Sequence, residues 1–293
     1  MKFKKITPQD KVLIETITHQ FKPYSDFNFV SLITWGVNNS SYFHIENDVL
    51  YIKLRDYMDK DKYTYSILGK TNIQQAIIAF FECNNIDKLE LVAGDVIELL
   101  GEGQFLIEHQ RDEDDYIYDI NELLSMDGPE YRKLRRSLSN FHSKNSFKPV
   151  FKQVTEYDED VFHQVLELTK KWRVIRNRSF SDSASEYYAV RRALGFFDKI
   201  GIKLWVLMDG KDVIGYVITE SYDDIAIIHF EKCNTNIPGA GSYLKHRVVN
   251  ELQKLGGKFL NYEQDLGLPG LREQKLSLNP SQMLEKFAVT PKH

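Results

Sequence analysis

The chain has 293 residues, 42% of them hydrophobic and 27% charged, which excludes a disordered or low-complexity protein and leaves room for two packed cores. A formal net charge of −4 excludes any global attraction to nucleic acid or anionic membrane, so such binding would have to come from a local patch. The two cysteines, Cys83 and Cys233, lie far apart and without metal-ligand spacing, which argues against a disulfide framework and a metal site and places the protein in the reducing cytoplasm.

Met1-Lys2-Phe3-Lys4-Lys5 is basic, but Thr7-Pro8-Gln9-Asp10 follows where a signal peptide needs its apolar core. No stretch approaches transmembrane length, so no integral membrane segment is expected. In the first half the patterning predicts strands over 42–45, 49–54 and 63–68. Gly69-Lys70-Thr71-Asn72 then leads into a helix carrying Ile73, Ala76, Ile77, Phe80 and Phe81, and a strand follows over 89–92. Residues 130–144 read as a basic helix behind Pro129. A division near 148 is expected, giving a first domain over 1–148 and a second over 149–293.

The second half opens with helices over 159–173 and 184–200. Strands over 203–208 and 213–220, joined through Asp209-Gly210, predict a hairpin. A third strand over 225–233 runs into Asn234-Thr235-Asn236-Ile237-Pro238-Gly239-Ala240-Gly241-Ser242, then a helix to Leu255 with Leu244, Val248 and Leu252 on one face, and a strand over 258–263. The two halves share this order, which suggests a degenerate internal duplication in which only the second copy keeps the paired glycines. Glycines at a helix N-terminus let backbone N–H groups meet a pyrophosphate, and the helix dipole favours the anion. A tight strand-to-helix turn without a ligand needs the same residues.

Three strands, glycine loop, helix and strand is the order of the GNAT-type N-acetyltransferase fold, and Asn236-Ile237-Pro238-Gly239-Ala240-Gly241 resembles its loop signature, with Asn in place of Arg or Gln. The run from Asn261 through Gly267, Gly270, Arg272 and Lys275 to Pro280 resembles the C-terminal signature of the phosphatidylglycerol lysyltransferase C-terminal domain family. Phe27-Asn28-Phe29-Val30-Ser31-Leu32-Ile33-Thr34-Trp35 and Tyr131-Arg132-Lys133-Leu134-Arg135-Arg136 resemble the same family. The resemblance implies an α/β (α+β) protein with two GNAT-like halves, mixed sheets flanked by helices. Some family members transfer an aminoacyl group from tRNA to a lipid headgroup, using a membrane region that this sequence lacks.

On that resemblance the donor would be coenzyme A carrying an acyl group, held at Asn236, Ile237, Gly239, Ala240, Gly241 and Ser242. The reacting carbonyl would lie between the strands before and after the helix, near Glu231 and Glu263. Either carboxylate could take a proton from an attacking amine, although the plainer reading of each is a structural hydrogen-bond acceptor. Strand alternation puts His229, Glu231 and Cys233 on one face and sends Tyr262 into the core. Cys233 reads as a small buried apolar residue. Asp265, Arg272 and Lys275 form a candidate phosphate- or carboxylate-binding group, the alternative being a solvated ion-pair cluster with Glu273. Arg132, Lys133, Arg135 and Arg136 suit tRNA or a nucleotide, or are a solvated face. The leading expectation is an acyltransferase passing an acyl group from acyl-CoA to a small-molecule or peptide amine. Its rivals are an aminoacyl-tRNA-dependent transferase acting on a phospholipid or peptide, and a non-catalytic CoA- or peptide-binding module.

Overall fold

A computed structural model describes residues 1–36, 41–55, 62–175 and 180–292, with the backbone alone for 172–175 and 180–184. The chain forms two compact units, the first comprising residues 1–115, 264–267 and 283–293 and the second 116–263 and 268–282.

In the first unit β1 (Lys4–Lys5), β2 (Tyr42–Glu46), β3 (Val49–Arg55) and β4 (Tyr63–Leu68) pair antiparallel in that order. Helices α1 (Lys11–Thr18), α2 (Phe29–Thr34), α3 (Ile73–Asn84) and α4 (Gly94–Ile97) belong to the same unit. The α2 sequence is buried throughout, and its N-terminus is fixed by Asn28, whose side-chain oxygen accepts from the N–H groups of Val30 and Ser31. A second, three-stranded sheet places the last strand of the chain between β5 (Leu89–Ala93) and β6 (Phe105–His109).

A seven-stranded sheet uses β7 (Asp115–Asp119), β8 (Val150–Val154), β9 (Lys203–Asp209), β10 (Asp212–Tyr222), β11 (Ile225–Cys233), β12 (Phe259–Asn261) and β13 (Gln282–Leu284), all of it assigned to the second unit except Asp115 and residues 283–284. Their order is β13-β7-β12-β11-β10-β9-β8. Strand β14 (Lys286–Pro291) is the central strand of the three-stranded sheet in the first unit. Helices α5 (Ile120–Ser125), α6 (Arg132–Lys144), α7 (Glu159–Ile175), α8 (Phe180–Gly195), α9 (Ala240–Lys254) and α10 (Pro269–Leu276) complete the second unit. The division expected at 148 falls inside this unit. The physical reason is β7, which pairs antiparallel with β12 through Asp119↔Phe259, Tyr118↔Leu260 and Ile117↔Asn261 and carries α5 and α6 with it.

Strand β10 is apolar on both faces because both faces are covered. Tyr216 meets Thr169 of α7 at 2.7 Å between hydroxyls, while the adjacent Gly215 faces Leu244 of α9 and Cys233. A Cβ on Gly215 would lie 2.8 Å from Leu244 and 2.9 Å from the Cys233 sulfur, so glycine here sets how closely α9 approaches the sheet. Gly215→Val should therefore lower the unfolding free energy by about 1–3 kcal/mol through overpacking, read from urea melts against the parent protein.

Candidate active site

The site begins where two parallel strands part. β11 and β12 pair through Ile225↔Phe259, Ala226↔Leu260 and Ile227↔Asn261 and no further. His229 and Glu263 stand two residues beyond the last pair on their respective strands, and His229 Nδ1 lies 3.0 Å from Glu263 Oε1. Nε2 of the same ring lies 3.7 Å from Glu220 Oε2 on β10. The imidazole is fully buried between the two carboxylates. Burial alone would lower its pKa, but the two flanking carboxylates, Glu220 and Glu263, outweigh that and raise it from the ordinary 6.5 to about 9.

Two backbone irregularities create this arrangement. On the β10 side Phe230 pairs with Ile218 and Ile228 with Thr219, which leaves His229 as the extra residue of a β-bulge. A bulge breaks the alternation of side chains. The expected common face of His229, Glu231 and Cys233 accordingly does not form: His229 turns to Glu220 and Glu263, whereas Glu231 turns to Lys245 of α9 at 3.4 Å. On the other strand Glu263 has φ +57°, a left-handed conformation that costs a non-glycine residue on the order of 1 kcal/mol or more.

Glu231 is held by two partners. Its Oε2 accepts the Tyr262 hydroxyl at 2.7 Å and faces the Lys245 ammonium, which itself sits 4.4 Å from the Tyr262 ring centroid. Tyr262 is therefore half-buried and hydrogen-bonded rather than a plain core residue, and burial together with the neighbouring Glu231 pushes its pKa well above the ordinary 10. The Cys233 thiol donates to the Ile214 carbonyl, and burial pushes its pKa up to about 12, so it has no thiolate to offer as a nucleophile.

The expected anion-binding residues of the C-terminal segment have different partners. Asp265 belongs to the first unit, where it is buried, lies 3.6 Å from Arg111 and accepts the Gly267 N–H. Arg272 and Lys275 lie on α10 in the second unit; Arg272 is half-exposed, whereas Lys275 is buried and donates to the backbone carbonyls of Tyr262 and Glu263. Glu273 pairs with Lys133 at 3.6 Å.

The glycine loop is packed by protein. Gly239 caps α9 at φ +76°, and a Cβ there would meet Ser137 O at 2.2 Å and Phe141 N at 2.8 Å, so α6 lies directly on the loop. Phe141 stacks on Tyr243 at 4.2 Å between centroids, the Ser242 hydroxyl bonds that of Ser137 at 2.7 Å, and Asn145 donates to the Pro238 carbonyl. Three of the loop's N–H groups are spent within the turn: Asn236 donates to the Asn234 side chain, Ile237 to Asn234 O and Ala240 to Ile237 O. A Cβ on Gly241 would meet only Cys233, at an ordinary 3.8 Å. The opposite face of α6 is basic, with Arg132, Lys133, Arg135 and Arg136 exposed. Arg135 is tied to the carbonyls of Met126 and Gly128. Among the described residues no group of His, Cys, Asp and Glu is arranged to hold a metal ion, and no helix is long and apolar enough to cross a membrane.

His229, Glu220 and Lys245 do not stand out in sequence as site residues. The available signal is polarity inside an apolar run, His229 within Ile225 to Phe230 and Glu220 at the end of β10, and it marks burial without naming partners.

Parallel strands that part beside a glycine-capped helix define a GNAT-like transferase fold. Residues 19–290 match the family described as phosphatidylglycerol lysyltransferase, C-terminal, and the chain belongs to that family. No curated protein matches it by sequence. Among solved structures it is similar to a conserved protein of unknown function from Bacteroides thetaiotaomicron, with 22% identity, 100% of both chains covered and a TM-score of 0.85. L-PGS from Bacillus licheniformis matches at 10% identity over 96% of this chain and 91% of that one, with a TM-score of 0.64. A tandem GNAT protein from the clavulanic acid biosynthesis pathway matches at 9% identity over 99% and 98%, with a TM-score of 0.50.

The two glycines of the loop should behave differently on substitution. Gly239→Ala should destabilise by about 1–3 kcal/mol, because the new methyl meets the α6 backbone at a positive φ. Gly241→Ala, inside α9 with open space, should be neutral or stabilise by up to about 1 kcal/mol. Paired urea melts decide. For His229 the folded pKa lies above the unfolded one, so its stabilisation is complete below about pH 6.5 and disappears as pH rises through about 9. At about 1.4 kcal/mol per pH unit of pKa elevation this amounts to roughly 3 kcal/mol. Unfolding free energies measured from pH 6 to 10 should fall accordingly, and His229→Gln should flatten that decline.

Proposed function

We propose that this chain is an aminoacyltransferase of the GNAT type, whose donor is an aminoacyl ester on tRNA and whose acceptor is a phospholipid headgroup or a peptide amine. The observation that carries the choice of donor is α6 seated on the Gly239 loop. An acyl-CoA would need its pyrophosphate where Ser137 and Phe141 already lie, whereas an ester-linked aminoacyl group on RNA needs no pyrophosphate cradle. The exposed arginines of α6 offer sequence-independent contacts to a phosphate backbone despite the negative net charge. Membership of the phosphatidylglycerol lysyltransferase family supports the same reaction class. A charged tRNA donor also sets the reaction in the cytoplasm.

In this reading the acceptor nucleophile attacks the ester carbonyl, a new C–N or C–O bond forms, and the bond to the tRNA ribose breaks. The proton that Glu263 removes from the nucleophile passes to the departing ribose oxygen, which leaves as a hydroxyl and restores the carboxylate. Glu263 takes the proton of the nucleophile, and the buried His229, held between Glu263 and Glu220, orients that carboxylate and balances its charge. Glu231 already accepts from Tyr262 and faces Lys245, and it serves as a structural anchor of the site rather than as the base.

The test uses the purified chain with lysyl-tRNA and phosphatidylglycerol vesicles. Lysyl transfer is expected, and Glu263→Gln should lower kcat by about 10²- to 10⁴-fold, the usual contribution of a positioned base. The double variant Arg132→Glu/Arg136→Glu should weaken tRNA binding and make the slope of log K against log salt shallower by about 1.5 or more, at roughly 0.7–0.9 for each phosphate that is no longer neutralised. Coenzyme A and acetyl-CoA should leave Tm unmoved at saturating concentration, since only a ligand that binds the folded state raises it. A clear rise with acetyl-CoA, without lysyl transfer, would restore the acyl-CoA donor.

A further inference from the structure

Where β12 leaves β11, residues 262 and 263 have no register pair on β11, yet each of their four backbone polar groups is bonded. The Tyr262 N–H donates to Tyr116 O at 2.9 Å, and the Glu263 N–H donates to the buried Asn261 side-chain oxygen at 2.7 Å. The Glu263 carbonyl accepts from Tyr116 N at 3.2 Å and from the Lys275 ammonium at 2.9 Å. The same ammonium bonds the Tyr262 carbonyl. One side chain on α10 therefore clamps two consecutive carbonyls at the residue where φ turns to +57°.

Lys275 is suited to that task by chemistry and by placement. An ammonium carries three donors on a flexible stem and can serve two carbonyls at once. Desolvation of the charge is offset by the Tyr262 and Tyr116 rings, whose centroids lie 4.8 and 5.6 Å from it. The residue is anchored from below as well, since its own carbonyl accepts the Tyr118 hydroxyl at 2.9 Å. At 3% exposure its side chain has no surface to present to a substrate anion.

We propose that Lys275 is a positioning residue, a strap from α10 that holds Glu263 in its left-handed conformation and thereby delivers the Glu263 carboxylate to His229. A backbone relaxed to right-handed or extended φ would swing the side chain away, since side-chain direction follows φ and ψ, and the carboxylate could no longer reach the ring at 3.0 Å. The catalytic consequence rests on the reading of Glu263 as the base; the structural consequence does not.

The experiment is an NMR titration of the His229 ring in the full chain, for the parent, Glu263→Gln and Lys275→Met, alongside kcat and KM for lysyl transfer. Methionine keeps stem length and volume while removing every donor. Lys275→Met should lower the proton affinity of His229 at least tenfold, toward the value found in Glu263→Gln. It should also reduce kcat at least tenfold with KM changed less than threefold. Lys275→Arg, which keeps charge and donors, should retain part of both, and Lys275→Gln, whose shorter neutral side chain cannot serve both carbonyls, carries the test should Lys275→Met fail to fold. A folded Lys275→Met or Lys275→Gln protein whose His229 titrates as in the parent overturns the strap, and a rise in KM alone would make Lys275 a substrate ligand instead. If Glu263→Gln keeps full activity while Lys275→Met still shifts His229, the base assignment falls and the strap stands.

Discussion

The second unit is organised by a shortage of hydrogen bonds. β11 and β12 share three register pairs and then separate, so one edge of β11 and the end of β12 lose the partners a sheet would supply. Buried N–H and carbonyl groups without partners cost about 1–3 kcal/mol each, so the separation persists only if other groups take over. Tyr116, Asn261 and Lys275 do so at residues 262 and 263, and Glu231 and Glu263 find Tyr262 and His229 across the opening. The groups that keep the strands apart are the ones that arrange the carboxylates.

The glycine loop shows how one sequence feature admits two physical uses. Gly239 needs the absence of a Cβ twice over, for φ +76° and for the approach of the Ser137 carbonyl. Gly241 needs it for neither reason. A cradle for pyrophosphate would ask both glycines to face a ligand; here a helix faces one of them. Helix α6 has Phe141 buried and its arginines exposed, so it seals the loop with Ser137 and Phe141 and presents charge outward.

Much of this fold is legible in sequence because its signals are local. The strands over 203–208 and 225–233 and the helix after Gly239 are marked by a turn dipeptide, apolar runs and helical spacing, and they occur within a residue or two as β9, β11 and α9. Strands β6, β7, β8, β13 and β14 do not stand out. They are short, and what makes them strands is pairing with residues far away in the chain: β14 with β5 and β6, β7 with β12. The candidate site divides the same way. Glu231 and Glu263 can be placed at the strand ends by counting, but which way each points depends on a bulge at His229 and a left-handed residue at 263. Neither leaves a mark in composition. Lys275 is visible as a cation near the site, and only its burial against two carbonyls turns it from a substrate ligand into part of the frame.

Such a network ties stability to chemistry. In a buried polar cluster the loss of one member leaves another unpaired, and the cost exceeds that of the bond removed. His229 has a carboxylate on either side, so the loss of Glu263 would remove the 3.0 Å contact and keep Glu220 at 3.7 Å. Glu231 likewise depends on a hydroxyl and an ammonium that both involve Tyr262, one by hydrogen bond and one across its ring. Conservative replacements that keep shape but remove a donor or a charge are thus the informative ones. Alanine replacements would collapse the strand ends and report on folding, whatever the residue does for the reaction.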